Sequence, residues 1–383
     1  MSNRKRYLAP WRREAAELQN VEKAGKLLGF ENPDAMEKYL ASLRGKPAIY
    51  HCVSRIVDRR RIFGIEEKEK FTYYMRVYEE FCQVRILTWC LMGNHFHILV
   101  EIPEPPEDRG KSWSDEKFLR HISCRYRDRE FLKIASRLKH FRKQGLDSAA
   151  EELRDKFFAL MWDLSWFLRM LKQRFAQWYN AKNNRDGVLW SDRFRSLIVE
   201  SGLAARTVAA YIDLNPVRAG IVDDPKDYRW SGYGEAVAGF RRAREGLRLV
   251  VFGHMAAHHG EKLGAKAAAK WKDVSARYRC NMFLDGRQSQ RDEKKHRAGI
   301  PSPKVDEVLE KDGKLSAAEM LRCRMAHLTR GVALGSGGFI DAVGALTRGI
   351  LPSIPGPEAL KDRTLADTPL RALRGLRNEP LAK

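Results

Sequence analysis

The hydrophobic and polar positions in the first half of the chain follow two periods, that of a strand and that of a helix. Residues 48–57 are rich in β-branched and aromatic side chains and predict a strand, whereas the apolar residues of 66–83 recur at helical spacing. Residues 84–92 and 95–102 predict two further strands, and Gly93-Asn94 between them predicts a hairpin turn. This stretch therefore begins as strand, helix, strand, strand.

The following residues predict helices, with one more strand among them. Residues 107–162 are highly charged and look helical, and 163–180 form a strong amphipathic helix pattern. Residues 187–200 predict a strand, and 202–215 predict a helix that ends before Pro216, because proline disfavours helical backbone in the preceding residue. The whole order predicts an α+β fold with one antiparallel sheet and helices packed on it.

These patterns divide the chain into six predicted segments. They are a helical N-terminal lead-in (1–45), a main α+β domain (46–235) with a charged helical insertion at about 104–162, a weakly patterned helical extension (236–284), a basic linker (285–303), a small helical unit that is a candidate DNA-binding element (304–345), and a loosely ordered tail (346–383).

The net charge changes this picture, because it points to a partner. The chain has 383 residues, with 71 Lys and Arg against 49 Asp and Glu, and a net charge of +22. Such a charge predicts a polyanion partner, first of all nucleic acid. The basic residues are spread over several segments, which makes a membrane surface a weaker candidate. The alternative is a highly charged protein without a polyanion ligand.

Other compositional features exclude several classes of protein. No apolar run approaches the ~18 residues of a membrane span, and no apolar stretch follows the basic N-terminus as in a secretory signal, so we expect a cytoplasmic protein. The six cysteines are scattered without a C-x-x-C pair, which argues against a structural zinc site or a disulfide framework.

The first candidate for chemistry is a pair of histidines in the predicted strand 95–102. Because alternate strand residues face opposite sides, Phe96 and Ile98 share an apolar face that we expect to be the core, and His95 and His97 share the other. Residues two apart on one face lie about 6 to 7 Å apart, a spacing that suits two imidazoles on one metal ion. The alternative is a pair of solvated or hydrogen-bonded histidines.

The second candidate is a tyrosine and an asparagine near the end of the predicted helix 202–215. Tyr211 and Asn215 are four residues apart and share one helix face. They could serve as a nucleophile and a metal ligand, or simply be a core tyrosine beside an asparagine at a helix end.

Together these segments resemble a known family. His95-Phe96-His97 resembles the histidine-hydrophobe-histidine motif of the HUH endonucleases, and Tyr211–Gly220 resembles the second signature of the single-tyrosine transposases in that superfamily. The branch of REP-associated tyrosine transposases is the best match. Residues 92–94, 187–195 and 227–233 support the resemblance, which covers about 46–235 and thus identifies the main domain as an HUH tyrosine transposase domain.

The resemblance implies a ferredoxin-like or RRM-like core and an enzyme that acts on DNA. It implies that His95, His97 and Asn215 bind a divalent ion, Mg²⁺ or Mn²⁺, and that Tyr211 is the nucleophile. Chains of this type cut and rejoin single-stranded DNA, often beside a hairpin, through a 5′-phosphotyrosine link. They do so in DNA transposition or in processing repetitive palindromic elements, as monomers or homodimers.

Basic residues near aromatic ones predict a surface for a single-stranded or hairpin DNA. Two alternatives to the enzyme remain open: a domesticated protein that binds hairpin DNA without cutting it, and a metal-dependent RNA nuclease that uses water as its nucleophile. The candidate DNA-binding residues are Arg169, Lys172, Arg174, Arg185, Arg193, Arg195 and Arg218.

Overall fold

The computed structural model describes residues 46–126, 128–252, 271–286, 305, 333–336, 370–374 and 377–380. These residues form two compact units. The first unit contains residues 46–54 and 86–100 and the described residues from 194 onward, and the second contains residues 55–85 and 101–193.

Ten α-helices, two short 3-10 helices (Val57–Arg59 and Pro225–Asp227) and seven strands are described in these residues. The strands are β1 (Ala48–Arg55), β2 (Arg85–Leu91), β3 (His95–Ile102), β4 (Arg195–Val199), β5 (Ala333–Ser336), β6 (Leu370–Arg374) and β7 (Arg377–Pro380). The helices are α1 (Ile65–Phe81), α2 (Asp115–Ile122), α3 (Asp128–Lys143), α4 (Asp147–Phe158), α5 (Leu164–Lys182), α6 (Leu203–Asp213), α7 (Asn215–Arg218), α8 (Gly232–Val237), α9 (Arg241–Phe252) and α10 (Trp271–Gly286).

The core of the sheet has the strand order β2-β3-β1-β4. β1 and β4 are antiparallel, with Ile49 opposite Val199 and Val53 opposite Arg195. Helices lie between β1 and β2 and between β3 and β4 in the sequence, which makes this a β-α-β-β-α-β arrangement. The predicted α+β fold with a ferredoxin-like core is thereby confirmed. β5 continues the sheet parallel to β4, and β6 and β7 follow it antiparallel.

One face of the sheet in the first unit packs against α6 and its neighbouring helices. Ile49, Leu87 and Leu99 from the sheet share an apolar cluster with α6 and with residues of α8, α9 and α10. The α6 sequence is rich in alanine, which has the highest helix propensity and lets a helix lie close to a sheet. Burying each leucine contributes roughly 1.5 to 3 kcal/mol.

The segment after α7 is attached to β2. The Leu91 amide donates to the Trp230 carbonyl at 3.0 Å, and the Tyr228 hydroxyl donates to the Leu91 carbonyl at 2.7 Å. The Trp89 indole donates to the Glu235 carboxylate at 3.0 Å. These bonds hold residues 227–235 along the strand that precedes the β3 histidines in the chain.

The second unit has an aromatic core and a charged helical insertion. Phe63, Phe71, Phe175 and Trp190 pack ring on ring with centroids 5.1 to 6.3 Å apart. The insertion is helical, as predicted, and comprises α2, α3 and α4. An ion-pair cluster joins these three helices, with Arg142 bonded to Asp115, Asp147 and Glu151.

The predicted strand 187–200 is wrong in its first half. Only Arg195–Val199 forms β4, while Trp190 makes an isolated bridge to Ile56. The reason is that Trp190 is anchored elsewhere, since its indole donates to the Lys172 carbonyl at 3.0 Å and its ring lies in the aromatic core. The apolar residues of 187–194 therefore do not mark a paired strand: Leu189 and Trp190 are buried, whereas Val188 is 71% exposed.

The end of the predicted helix 202–215 also differs. α6 ends at Asp213, and a separate short helix, α7, begins at Asn215 with Pro216 in its first turn. Proline lacks an N–H, which is no loss at the start of a helix, where that N–H has no partner within the helix. Proline thus separates two helices here instead of ending helical structure.

The outer segments are covered only in part. The segment predicted to be a loosely ordered tail contains β6 and β7, which form an antiparallel pair. Apolar and polar residues do not alternate in Leu370–Arg374, so the sequence pattern did not predict this strand. The helices α9 and α10 lie in the predicted helical extension. The predicted lead-in 1–45 lies outside the described residues, as do most of the linker 285–303 and of the helical unit 304–345. None of the described helices is long and apolar enough to cross a membrane.

Gly234 in α8 gives a test of this packing. A Cβ at this position would lie 2.1 Å from the Tyr228 carbonyl oxygen. We expect Gly234→Ala to lower the free energy of unfolding by about 1 to 3 kcal/mol, because the backbone must shift to relieve the overlap. Urea denaturation measures the change. Val237→Ala, at an exposed position of the same helix, is the control and should change stability by less than about 0.5 kcal/mol. Equal stability of Gly234→Ala and the wild type would contradict the prediction.

Candidate active site

The two histidines of β3 lie side by side, with ring centroids 5.1 Å apart and an interplanar angle of 77°. His95 is half-buried, and His97 is only 3% exposed. The strand places both on one face because they are two residues apart. The structure therefore brings together the pair that the sequence predicted.

The sequence prediction about this face was wrong in one respect. We expected the histidine face not to be the core face, yet His97, Leu99 and Glu101 are all buried. Leu99 belongs to the apolar cluster that contains α6, and the ring of Tyr211 on α6 packs against His97. Helices cover this face, so both faces of β3 are buried. The Glu101 carboxylate is compensated there by an ion pair with Arg85 at 2.5 Å.

A third histidine, His51 on β1, completes an imidazole cluster. Its Nε2 lies 3.0 Å from Nδ1 of His97, and the two rings lie end to end in nearly one plane, with centroids 5.2 Å apart and an interplanar angle of 17°. His51 is 1% exposed, and burial lowers its pKa to about 3. Its imidazole is therefore neutral at physiological pH.

Both β3 histidines are held by their Nδ1 atoms. His97 Nδ1 bonds to His51, and His95 Nδ1 lies 2.7 Å from Oδ1 of Asn94 in the hairpin turn. Such fixed partners on one ring nitrogen are typical of metal-binding histidines, because they set the ring orientation and the tautomer. A metal ion would accordingly be bound through Nε2 of both rings.

Tyr211 lies on α6 with its ring against this cluster. The centroid of its ring is 5.6 Å from that of His97 and 6.1 Å from that of His51, both edge to face. The guanidinium of Arg218 lies over the Tyr211 ring, 5.2 Å from its centroid. Tyr211 is 6% exposed and is also part of the apolar cluster, so it packs as a core tyrosine while its ring contacts the imidazoles.

Asn215 is the first residue of α7 and is held one turn after Tyr211. Its Nδ2 donates to the carbonyls of Tyr211 at 3.0 Å and Ile212 at 3.2 Å. These bonds satisfy carbonyls at the end of α6, a capping role that the sequence left open as an alternative. Because they use only the amide nitrogen, the amide oxygen is the atom with which Asn215 would bind a metal ion.

The donor types present fit a divalent ion. Among the described residues, no three of His, Cys, Asp and Glu form a cluster that could hold a metal ion, so a third ligand taken from these residues would be of another type. The amide oxygen of Asn215 is such a donor. Two neutral imidazoles and one amide would not reduce the charge of such an ion and would leave it free to bind phosphate oxygens and water.

Asp213 anchors the helix that carries Tyr211. Its carboxylate accepts hydrogen bonds from Thr88 on β2 at 2.8 Å, from the Tyr278 hydroxyl on α10 at 2.5 Å and from the Tyr233 amide at 3.1 Å. The group is fully buried, and this desolvation raises its pKa to about 7 although all three hydrogen bonds act to lower it. Strand β2 and two further helices are thus tied to the turn between Tyr211 and Asn215.

Sequence reasoning missed His51 and Asp213. The sequence contained a signal for each, since His51 stands in an otherwise apolar strand and Asp213 ends a helix of mainly small and apolar residues. A polar residue that is predicted to be buried requires a polar partner. The sequence could not say which partner, because Thr88, Tyr278 and His97 come from distant parts of the chain.

The predicted DNA-binding residues differ in what they contact. Arg169, Arg174, Arg193 and Arg195 are exposed, whereas Lys172 is 7% exposed. The Lys172 ammonium donates to the Asp192 carbonyl at 2.6 Å.

Two more of these residues have contacts within the protein. Arg185 is half-buried and donates to the Val188 carbonyl at 3.0 Å, and Arg218 is half-buried over Tyr211. Lys172 and Arg185 therefore stabilise the second unit, where Arg169, Arg174 and Arg193 also lie. Arg195 and Arg218 belong to the first unit.

Comparison with known proteins points to one family. Residues 46–107 match the family described as "Transposase IS200 like". The family resemblance is thereby confirmed for the segment that contains His51, His95 and His97, while Tyr211 and Asn215 lie beyond it.

A solved structure of a REP-associated tyrosine transposase bound to a REP hairpin is also similar, with a TM-score of 0.32 and 16% identity over 50% of this chain and 80% of that chain. No curated protein matches the chain.

The buried Asp213 predicts a specific pH dependence of stability. Its folded-state pKa of about 7 lies above its ordinary value of 3.8, so the folded state binds a proton more tightly than the unfolded state. This group's contribution to the free energy of unfolding should therefore fall as pH rises from about 4 to 7 and then stay constant. We compare the wild type with Asp213→Asn, which cannot titrate at this position, by urea denaturation. The difference between their free energies of unfolding should change by on the order of 1 kcal/mol or more between pH 5 and pH 7. Parallel stability curves would contradict the raised pKa.

Proposed function

We propose that this chain, which matches the IS200-like transposases over residues 46–107, cuts and rejoins single-stranded DNA with Tyr211 as its nucleophile. The observation that carries the proposal is the packing of Tyr211 against His97, 5.6 Å between ring centroids, with His95 beside it. Residues from distant parts of the sequence thus form one cluster of a phenol and imidazoles. The family match supports a transposase-like function in general.

The reaction proposed for Tyr211 is a transesterification. Its phenolic oxygen attacks a DNA phosphorus and loses its proton, the bond from phosphorus to the 3′-oxygen breaks, and that oxygen takes up a proton as a 3′-OH. The DNA remains joined to Tyr211 through a 5′-phosphotyrosine bond. A 3′-OH can then attack this phosphorus and release Tyr211, so no nucleotide cofactor is needed for rejoining.

His95, His97 and Asn215 are the proposed ligands of a Mg²⁺ or Mn²⁺ ion. When bound, such an ion would offset negative charge that develops on the phosphate. The residues themselves provide orientation: Asn94 and His51 hold the two imidazoles, and the bonds of Asn215 to the α6 carbonyls hold its amide one turn after Tyr211.

Exposed cations provide the proposed contact with the DNA. Arg169, Arg174 and Arg193 in the second unit and Arg195 in the first are the predicted DNA-binding residues that remain exposed. Arg218, over the ring of Tyr211, lies where a cation could meet the scissile phosphate. The proposed substrate is single-stranded DNA beside a hairpin, in transposition or in processing repetitive palindromic elements. A protein that only binds such hairpins is the second candidate, since Tyr211 and Asn215 also have structural roles.

The nucleophile is tested by trapping the covalent product. We expect wild-type protein with Mn²⁺ and labelled single-stranded DNA from the flanks of its own gene to give a labelled band at protein mass on a denaturing gel. Tyr211→Phe should abolish this band while binding the DNA within about threefold of the wild type, because only the attacking oxygen is lost. Tyr73→Phe, at an exposed tyrosine, is the matched control and should retain the band.

The other outcomes of this experiment separate the alternatives. Cut DNA without a protein adduct would indicate a nuclease that uses water. Binding of a hairpin substrate without cutting would indicate the binding protein. Normal cleavage by Tyr211→Phe would contradict the assignment of the nucleophile.

The metal ligands are tested by measuring Mn²⁺ binding directly. We expect His95→Ala to weaken Mn²⁺ affinity at least tenfold in calorimetry and to abolish cleavage, because one of three ligands is removed. His140→Ala, at an exposed histidine of α3, is the control and should do neither. Cleavage by the wild type that persists in excess chelator would contradict the metal site.

A further inference from the structure

We propose that His51 is a positioning residue, which holds His97 in the ring orientation and the tautomer that a metal ligand needs. This inference rests on the proposed function, since it concerns the same site. His51 was not among the residues that the sequence motifs singled out, and it lies on a different strand from the histidine pair.

The contact between the two rings is close and fully enclosed. β1 and β3 are neighbours in the sheet, so His51 reaches His97 across one strand spacing of about 4.8 Å. His51 Nε2 lies 3.0 Å from His97 Nδ1, and both rings are at least 97% buried. The hydrogen bond between the nearly coplanar rings and their burial leave the His97 ring little freedom to turn.

Only one arrangement of the shared proton suits a metal ligand. If His97 binds a metal through Nε2, its own proton is on Nδ1 and is donated to His51 Nε2. In the reverse arrangement His51 donates, and the proton of a neutral His97 occupies Nε2. The contact with His51 thus decides which nitrogen of His97 carries a lone pair towards the proposed site.

The hydrogen bonds of His51 argue against a purely structural role. In the arrangement that suits a metal, neutral His51 carries its proton on Nδ1, and this buried atom has no hydrogen-bond partner among the described residues. A buried polar atom without a partner costs on the order of 1 to 3 kcal/mol. An apolar residue of similar size would remove this unpaired atom, but it would also remove the hydrogen bond to Nδ1 of His97. The histidine is therefore best explained by what its Nε2 does for His97.

Two substitutions separate positioning from packing. His51→Leu keeps much of the volume and removes the acceptor, whereas His51→Gln keeps an oxygen acceptor near the position of Nε2. We expect His51→Leu to weaken Mn²⁺ binding about 10- to 100-fold in calorimetry without loss of stability in urea, and His51→Gln to stay within about threefold of the wild type. His121→Leu is the control, because His121 is a half-buried histidine whose Nε2 is hydrogen-bonded to the Phe81 carbonyl. It should not change Mn²⁺ affinity.

A second measurement needs neither metal nor activity. Nitrogen-15 NMR of histidine-labelled, metal-free protein reports which nitrogen of His97 carries the proton. We expect the Nδ1–H form in the wild type and in His51→Gln, and a shift towards the Nε2–H form in His51→Leu.

The outcomes distinguish this inference from the proposed function. An Nε2–H form of His97 in the wild type, or unchanged Mn²⁺ affinity in His51→Leu, would overturn the positioning role. Failure of the wild type to bind Mn²⁺ would contradict the proposed metal site, while the tautomer of His97 would still decide whether His51 sets it. If His51→Leu does not fold, the tautomers of the wild type and of His51→Gln decide the question.

Discussion

The first unit depends on the burial of one carboxylate. Asp213 stands between Tyr211 and Asn215 in the sequence and is fully buried. Its carboxylate accepts hydrogen bonds from β2, α8 and α10. A buried carboxylate without partners would cost several kcal/mol, so these elements can pack only where they also satisfy Asp213. The same bonds fix the helix of Tyr211 to the sheet. One interaction therefore sets both the packing of the unit and the position of the proposed nucleophile.

The imidazole cluster illustrates the same constraint on the sheet. His51 and His97 are both buried, and a single hydrogen bond joins the two imidazoles. Polar groups enclosed in this way interact more strongly than they would in water, because the local dielectric constant is low. The site thus combines a buried His97 with a half-buried His95 at the start of β3. A metal site of this kind would be held in place before substrate arrives.

The large net positive charge of the chain does not show which individual cations would contact a polyanion. A net charge of +22 indicates a polyanion partner, but individual cations have different roles. Lys172 donates to a backbone carbonyl, and Arg142 joins three helices of the insertion through ion pairs. Arg169 and Arg174 lie beside aromatic rings and are exposed. Fold stability and the proposed contact with DNA thus use the same residue types.

The sequence by itself determined the local elements and the residue types of the site. Strand β3 was predicted at its observed bounds. The resemblance assigned His95, His97, Tyr211 and Asn215 to motifs of one family. Both were possible because periodicity and short motifs are local properties of the sequence. Only the tertiary structure decided that the histidine face is buried, that His51 bonds His97 and that Asp213 bonds Tyr278. The physical reason is that alternation along a strand shows which residues share a face, whereas what covers that face depends on elements brought together from distant parts of the chain.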